Sequence, residues 1–430
     1  MTGMRLRATI NASVWRAAVW LIGAGAGIHR RLGITTPLGP LAAGRFRRVC
    51  LILAAALLGT GASPAIASTE SGVSVGSIQT LAHVPYPGNP GAVTIDGNTM
   101  WVDTSSANFD RPFDGYSGVF AYDLRTGQLL RRSPNPIIVP KPPVAIMGLA
   151  GTALDSEGRM YIADMNGQVL RVDPKTNAST TYATVPTSTS TSLTAMPTFD
   201  VFGPDGSLYV GDASAPVIWR VPPGGGQAQP WFVDPRLSGD YGAAVDGLAI
   251  DPSGRELYFA TGPEANIRIY HLPLADPDAS QLRLVHTYNL SPELCTADAV
   301  QVTDPNGPLA LLGCAGTNSA GAGGIVFGKS GRLYVSLLSV SQLSILGPSG
   351  DELLRFPDPQ QNMQLDNPVN GPFNLALDGF GRLLIADLGD PTNAAATTPP
   401  AEPLPDSKSW AILAVQVHDT PARLFKPNLP

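Results

Sequence analysis

The chain has 430 residues, of which 43% are hydrophobic and only 14% are charged. Ample apolar side chains exclude an intrinsically disordered chain, and 46 Gly with 41 Pro among short apolar runs favour an all-β protein rich in tight turns. The net charge of −6 is unevenly distributed along the chain, because the first 67 residues hold eight Arg and no acidic residue. The rest carries 20 basic and 34 acidic side chains, about −14, which argues against a nucleic-acid partner.

The chain begins with features of an export signal. Three Arg at 45–48 precede the apolar run VCLILAAALLG, and the small-residue end 65–67 follows it. This pattern predicts a secretory signal peptide cleaved near Ala67-Ser68, and therefore an extracellular protein. The apolar run is too short and Gly-broken to predict a stable membrane span. Residues 1–44 are either the product of a start codon assigned too early or a long or membrane-retained leader. In both cases we expect residues 1–67 to lie outside the fold.

One phrase recurs along the rest of the chain: an apolar strand, a turn ending in Gly, and a second apolar strand. It is clearest in GTALDSEGRMYIAD (151–164) and NLALDGFGRLLIAD (374–387). The turn glycine falls six times, at positions 97, 158, 206, 254, 331 and 381. Copies spaced by about 50 residues, each with four short β runs, are typical of propeller blades. The sequence therefore predicts an all-β, six-bladed β-propeller of four-stranded antiparallel blades over residues 73–427. A seventh blade within the 77-residue gap between Gly254 and Gly331 stays open as an alternative.

The two ends of this region are predicted to share the last blade. The N-terminal run SIQTLAHV and the C-terminal runs AILAVQV and ARLFKP each have the composition of a strand. A blade built from both ends closes the ring and removes a free sheet edge.

The innermost strand of each blade is expected to place one residue near the ring axis. Aligning the copies gives one residue per blade just before the first apolar position: Ala92, Gly151, Asp200, Gly247, Gly324 and Asn374. Asp246 precedes Gly247, so two carboxylates and an amide are expected to converge. Such hard oxygen ligands suit Ca²⁺. Asn89 and Asn370 are predicted to add to this ligand-binding set.

A structural reading of these side chains stays open. Asp and Asn often cap the turn before a strand by accepting hydrogen bonds from nearby backbone amides. For the recurring Asp at the end of the second strand, this is the preferred interpretation: Asp103, Asp164, Asp212 and Asp387.

Two cysteines remain after the leader. Cys295 and Cys314 flank an Asp-Pro-Asn-Gly turn between two apolar runs, so a hairpin brings them nearly opposite each other. Export permits a disulfide, which we expect between Cys295 and Cys314. The alternative is a pair of buried free thiols.

The phrase DGLAIDPSGRELYFAT (246–261), with FGPDGSLYVGD and ALDSEGRMYIAD, resembles the regucalcin/gluconolactonase family and its NHL-repeat and paraoxonase-like neighbours. The resemblance implies a six-bladed propeller with one divalent cation, usually calcium, at the mouth of the axial channel. It implies ligands at the starts of innermost strands, where Asp246 matches the Asp of the family's D-G-hydrophobic-Ala motif. Thr198 stands where the family has Asn, and Asn89 or Pro90 stands where it has Glu.

Two classes of function remain for such a chain. The first is a non-catalytic, monomeric propeller that binds a small molecule, a glycan or a protein at its channel mouth, with Ca²⁺ as the expected cofactor. The alternative is a metal-dependent lactonase-like hydrolase, in which Asp246 or Asp200 acts as ligand or general base. The G-x-S-x-G string at 72–76 comes just before the first predicted strand and not between a strand and a helix, so it does not predict the elbow of a serine hydrolase. No H-E-x-x-H motif occurs, which argues against zinc.

Overall fold

A computed structural model describes ten stretches of the chain: residues 73–85, 88–105, 116–130, 137–140, 148–187, 195–239, 244–262, 266–290, 321–389 and 410–430. All of them belong to one compact unit, Ser71–Pro430. The predicted leader, 1–67, and the predicted disulfide between Cys295 and Cys314 lie outside the described residues.

The described residues form six antiparallel sheets, the six blades of the predicted propeller. Blade 1 contains β2 (Pro90–Asp96), β3 (Thr99–Thr104), β4 (Tyr116–Asp123) and β5 (Ile137–Pro140). Blade 2 contains β6 (Leu149–Leu154), β7 (Met160–Asp164), β8 (Gln168–Asp173) and β9 (Ala178–Thr184), with the two-residue strand β13 (Gly226–Gln227) added in parallel to β9. Blade 3 contains β10 (Pro197–Phe202), β11 (Leu208–Asp212), β12 (Val217–Val221) and β14 (Gln229–Val233).

The remaining three blades repeat this order. Blade 4 contains β15 (Asp246–Ile250), β16 (Glu256–Thr261), β17 (Asn266–Pro273) and β18 (Arg283–Asn289). Blade 5 contains β19 (Ile325–Phe327), β20 (Leu333–Leu337), β21 (Gln342–Leu346) and β22 (Glu352–Phe356). Blade 6 contains β23 (Pro372–Leu377), β24 (Arg382–Asp387), β25 (Ala411–Gln416) and, as its outermost strand, β1 (Ile78–His83).

Helical structure is minor among the described residues. It comprises the single turn α1 (Pro359–Asn362) and two 3-10 segments, Pro235–Leu237 and Leu338–Val340. No described helix is long and apolar enough to span a membrane.

The recurring glycine has the conformation that its position predicts. In all six blades the glycine of the turn between the first and second strands has a positive φ, from 58° to 83°. A side chain with a Cβ rarely adopts this backbone conformation, so the turn selects Gly. This explains why the same phrase appears six times in one chain.

Aromatic residues of the second strands pack between neighbouring blades. The ring of Tyr161 in blade 2 meets Phe202 of blade 3 edge-on at 4.9 Å, and Tyr258 in blade 4 meets Phe327 of blade 5 at 4.9 Å. Each sheet thus buries its faces against the next one, as a propeller requires.

The two chain ends meet in blade 6 as predicted. β1 pairs antiparallel with β25, from Ile78 opposite Val415 to His83 opposite Ala411. The prediction of a further strand at ARLFKP is wrong, because residues 422–430 form no strand. Only Pro421 bridges to Gly328 of blade 5, and the segment then crosses one end of the ring.

The innermost strands β2, β6, β10, β15, β19 and β23 surround the axis. We call the end where these strands begin the upper face, and the end where they finish the lower face. The C-terminal segment lies at the lower face, beside the turns that follow the innermost strands.

Candidate ligand site in the axial channel

The axis of the ring holds a cavity of about 130 Å³. All six innermost strands line it, and residues Pro421–Lys426 of the C-terminal segment complete its wall at the lower face. Pockets for organic ligands usually measure roughly 300–1,000 Å³. The cavity therefore has room for an ion or a few waters, but not for a sugar or a lactone.

Asp200 is the acidic side chain that lines this cavity. It lies on β10 with 9% of its surface exposed, and neither carboxylate oxygen has a hydrogen-bond partner among the described residues. Burial raises the pKa of Asp200 well above its ordinary value, and the nearby charge of Asp103 raises this pKa further. The backbone amide of Ala153 acts in the opposite direction without forming a hydrogen bond of normal geometry. A carboxyl group in this position is either protonated or balanced by a cation.

Asp103 and Thr152 extend the polar region across three blades. Asp103 lies on β3 of blade 1 and is 2% exposed, and the Thr152 hydroxyl of blade 2 donates to its Oδ2 at 2.6 Å. Thr152 itself lines the cavity, next in sequence to Ala153 beside Asp200. The charge of Asp103 in blade 1 therefore raises the pKa of Asp200 in blade 3, and strand β6 of blade 2 lies beside both residues.

Asn374 lines the same cavity from blade 6. Its side-chain oxygen accepts one long hydrogen bond, 3.5 Å from the Val93 amide nitrogen. An amide oxygen has two lone pairs, so this weak contact leaves acceptor capacity. The structure thus brings two of the three predicted metal ligands, Asp200 and Asn374, to one cavity.

Asp246, the third predicted ligand, does not line the cavity. It begins β15 at the upper face, is 2% exposed, and has one carboxylate oxygen, Oδ2, without a partner among the described residues. Burial alone raises the pKa of Asp246 well above its ordinary value, with no contribution from Asp200. It is a separate buried carboxyl group.

The two predicted ligand-binding asparagines also lie outside the cavity lining. Asn89 is buried just before β2 with a φ of 48°, and its carbonyl oxygen accepts from the Ser105 amide at 2.7 Å. The Asn370 amide donates to both oxygens of Asp387 at 3.0 Å. Both asparagines thus make backbone hydrogen bonds at the upper ends of strands. Their ligand-binding role remains a prediction.

The recurring aspartates at the ends of second strands make the predicted structural contacts. Asp212 accepts from the Met196 and Ser214 amides and from the Trp219 indole, while Asp387 accepts from Asn370. Asp164 similarly accepts from side and main chains of the following turn. Asp103 differs from these three, because its partner Thr152 belongs to the next blade.

The strand register moves Asp200 away from the position predicted by the alignment. Asp200 pairs with Val210, and the equivalent pair in blade 6 is Leu375 with Ile385. Asp200 is thus equivalent to Leu375, and Phe199 occupies the position of Asn374. Counting back from the turn glycine of each blade would have given this register, because that turn is the strongest signal in the repeat.

A cluster of apolar side chains lies at the upper end of the channel. Phe199 of blade 3 and Phe373 of blade 6 approach each other with ring centroids 5.3 Å apart. Four further apolar side chains from the upper face join the same buried cluster: Met165, Met196, Leu338 and Leu388. Nothing in the sequence pattern pointed to this aromatic contact.

Donor chemistry limits what the cavity can hold. No group of three His, Cys, Asp or Glu that could hold a metal occurs in the described part of the chain. The side-chain oxygen donors around the cavity are one carboxyl group, two threonine hydroxyls and one amide. The unpartnered oxygens of Asp200 fit a hard cation with retained waters. His83, His271 and His286 lie on the third and fourth strands of their blades, away from the axis.

Comparison with known proteins gives similarity of fold. No protein-family model and no curated protein sequence matches the chain. Regucalcin from Agrobacterium tumefaciens, a calcium-binding protein, superposes with a TM-score of 0.50 at 15% identity, over 83% of this chain and 98% of its own. PQQ-bound aldose sugar dehydrogenase from Streptomyces coelicolor reaches 0.49 at 16% identity over 79% and 98%, and a putative gluconolactonase reaches 0.47 at 13% over 81% and 94%. The predicted resemblance is confirmed at the level of fold: this chain is a six-bladed β-propeller of the kind seen in regucalcin.

Proposed function

We propose that this protein is a secreted binding propeller that holds a hard divalent cation, Ca²⁺ by its donor chemistry, in the axial channel. The observation that carries the proposal is the buried carboxyl group of Asp200, whose two oxygens lack partners inside a cavity. Leaving an ionised carboxylate unpaired in a protein interior costs several kcal/mol. A bound cation would remove that cost and would restore the ionised form.

In this proposal Asp200 is the charged ligand and Asn374 is a neutral one. Asp103 adds negative charge nearby, held in position by Thr152. Ca²⁺ takes six to eight oxygen ligands, so waters would complete the set. Asp246 is the further predicted ligand, and the variants described below decide whether it belongs to this site.

The cavity is too small for an organic ligand. The small molecule, glycan or protein of the proposal therefore binds outside the cavity, at a channel mouth. The cation's contribution there is a positive charge close to the axis of an otherwise acidic protein.

Calcium titration of thermal stability tests the cation. We expect Ca²⁺ to raise the Tm and EDTA to lower it, because a ligand at 100 times its Kd stabilises the native state by about 2.7 kcal/mol. Asp200→Asn should abolish this shift. It should leave the calcium-free protein at least as stable at neutral pH, since it removes the cost of keeping a buried carboxyl group protonated there. Asn374→Ala should weaken the shift.

Asp387→Asn is the matched control. Asp387 is even more buried than Asp200, with 1% of its surface exposed against 9%, but it lies outside the cavity lining, so this variant should keep the calcium response. Asp246→Asn reports on the third predicted ligand. A Tm independent of calcium in the wild-type protein, or a full response in Asp200→Asn, would contradict the proposal.

Lactone hydrolysis is the second candidate, and one observation favours it. Burial raises the pKa of both Asp200 and Asp246, and a raised pKa is a common property of carboxyl groups that act as general acids. A panel of lactones with the wild type, Asp200→Asn and Asp246→Asn tests it. Turnover that either variant removes would favour the hydrolase, whereas no turnover at saturating calcium leaves the binding function.

The remaining expectations belong to the same proposal. Exported protein should begin at Ser68, which N-terminal sequencing checks. A disulfide between Cys295 and Cys314 should lower the non-reduced mass by two hydrogen atoms. We propose a monomer that does not bind nucleic acid, to be tested by sedimentation and by a DNA-binding titration at low salt.

A further inference from the structure

The C-terminal segment crosses the lower face and is fixed at both ends. Its first attachment is to blade 5, where Asp419 accepts from the Tyr334 hydroxyl at 3.1 Å and the Lys329 amide donates to the Thr420 carbonyl at 2.8 Å. The Ala422 amide then donates to a carbonyl of β19 at 3.0 Å. These bonds place the start of the segment beside the channel.

The second attachment is to blade 2, on the other side of the axis. Leu429 is 5% exposed and belongs to the buried cluster of blades 2 and 3. The Ser156 amide donates to the Pro427 carbonyl at 2.9 Å, and Arg171 donates to the Pro430 carbonyl at 3.1 Å. The segment is therefore anchored like a strap across the ring.

The part between the two anchors is held much less firmly. Residues 423–426 make no backbone hydrogen bond to another described residue, and Leu424 is 54% exposed. The Lys426 ammonium lies 3.2 Å from the carboxylate of Asp96, in a half-exposed pair. Phe425 is the apolar anchor of this part: it is half-buried, packs against two buried clusters, and lies 5.0 Å from the Arg423 guanidinium. Yet these same residues form the lower wall of the axial cavity.

The upper and lower ends of the cavity thus differ in the contacts that must be lost before each end can open. At the upper end, Phe199 and Phe373 are 3% and 5% exposed and meet inside a buried apolar cluster. At the lower end, the closure is a short span with side-chain contacts only. Segments with few buried contacts and few backbone hydrogen bonds open locally at the lowest free energy.

We infer that residues 421–426 are the movable closure of the axial channel, and that water and small solutes reach the cavity from the lower face. This reverses the expectation that access is from the face where the innermost strands begin. The inference rests on the two closures and stands whether or not the cavity binds a cation.

A cysteine placed in the cavity reports on access. Ala376 lines the cavity from β23, so Ala376→Cys can be labelled with a small methanethiosulfonate reagent and followed in the mass of the peptide containing position 376. In this background, Lys426→Ala and Leu429→Ala each weaken one attachment of the segment. We expect Leu429→Ala to accelerate labelling by about tenfold or more, the effect of a 1.4 kcal/mol change in opening free energy. Lys426→Ala removes a half-exposed ion pair and should accelerate labelling by about two- to fivefold.

Two matched variants locate the route. Phe373→Ala loosens the upper closure and should change the labelling rate much less than the tail variants. Lys175→Ala removes an exposed lysine of a lower-face turn, whose backbone amide donates to Asp173 of the same turn, and should leave the rate unchanged. If Leu429→Ala does not fold, Lys426→Ala and Arg171→Ala supply the comparison. Labelling that Phe373→Ala accelerates as much as the tail variants, or that no tail variant accelerates, overturns the inference.

Discussion

Phe199 on β10 and Phe373 on β23 meet across the axis of the ring, with their centroids 5.3 Å apart at an interplanar angle of 40°. They belong to blades 3 and 6, which are opposite each other in a six-bladed ring. The contact can form only when the ring is closed. It therefore couples the packing of the upper channel to closure of the whole propeller.

Truncating this contact should destabilise the protein strongly. We expect Phe373→Ala to lower the free energy of unfolding by about 3–5 kcal/mol, since it removes a buried aromatic side chain. With Phe199→Ala, urea titrations of both single variants and the double variant should give a coupling of about 0.5–1.5 kcal/mol. Phe380→Ala, at a position 51% exposed, should cost less than about 1 kcal/mol. Strictly additive single effects would contradict the contact.

Asp387 should make stability fall as the pH rises from about 4 to about 7. Burial raises the pKa of this carboxyl group to about 7, although the amides of Asn370 and Gly389 oppose the rise. Between its unfolded and folded pKa, the native state holds a proton that the unfolded chain has lost. Each pH unit in that window should therefore cost about 1.4 kcal/mol from this group.

Comparison with Asp387→Asn isolates that contribution from other titrating groups. The difference in unfolding free energy between the wild type and the variant, measured by urea titration at several pH values, should decline across the window and become constant above it. A difference that is independent of pH would contradict the raised pKa.

Asp212 should be essential for the stability of blade 3. Its carboxylate accepts from the Met196 amide at 3.0 Å, the Ser214 amide at 2.9 Å and the Trp219 indole at 3.0 Å. Asp212→Ala leaves these buried donors unsatisfied, each at about 1–3 kcal/mol, so we expect a loss of at least 3 kcal/mol in the unfolding free energy.

A surface aspartate of the same blade is the control for that variant. Asp205 pairs with Arg220 at 2.7 Å, but both side chains are 46% exposed. Asp205→Ala should cost less than about 1 kcal/mol. If the two variants lose the same unfolding free energy in urea titrations, burial does not determine how much these contacts contribute to stability.

Closure of the ring by β1 predicts a sharp boundary for truncation from the N-terminus. A chain that lacks residues 1–72 retains β1 and should unfold at the same urea concentration as one that begins at Ser68. A chain that lacks residues 1–84 loses the pairing with β25 and the buried Ala82 and Val84. Burial of Val84 alone contributes about 1.5–3 kcal/mol. Similar midpoints for the two truncated chains would contradict closure by β1.

Much of the fold could be predicted from the sequence, because its signals are local. A turn that requires positive φ selects Gly at one position per blade, and six such glycines indicate six blades. The apolar run that becomes β1 and the run that becomes β25 could be assigned to one blade because a ring needs closure. The aspartates at the ends of second strands could be recognised as turn acceptors, since their donors are mostly near in sequence.

The candidate site depended on contacts between distant parts of the chain. Asp200 and Asn374 line one cavity, while Asp246 lies apart. This arrangement follows from the strand register and from which side chains of adjacent blades face each other. The aromatic contact of Phe199 with Phe373, and the C-terminal segment over the lower face, join residues from different blades. The sequence by itself determined the number and closure of the blades, because backbone conformation and strand pattern are encoded locally. Only the tertiary structure decided which polar groups are left without partners at the axis, because burial and hydrogen bonding there depend on all six blades together.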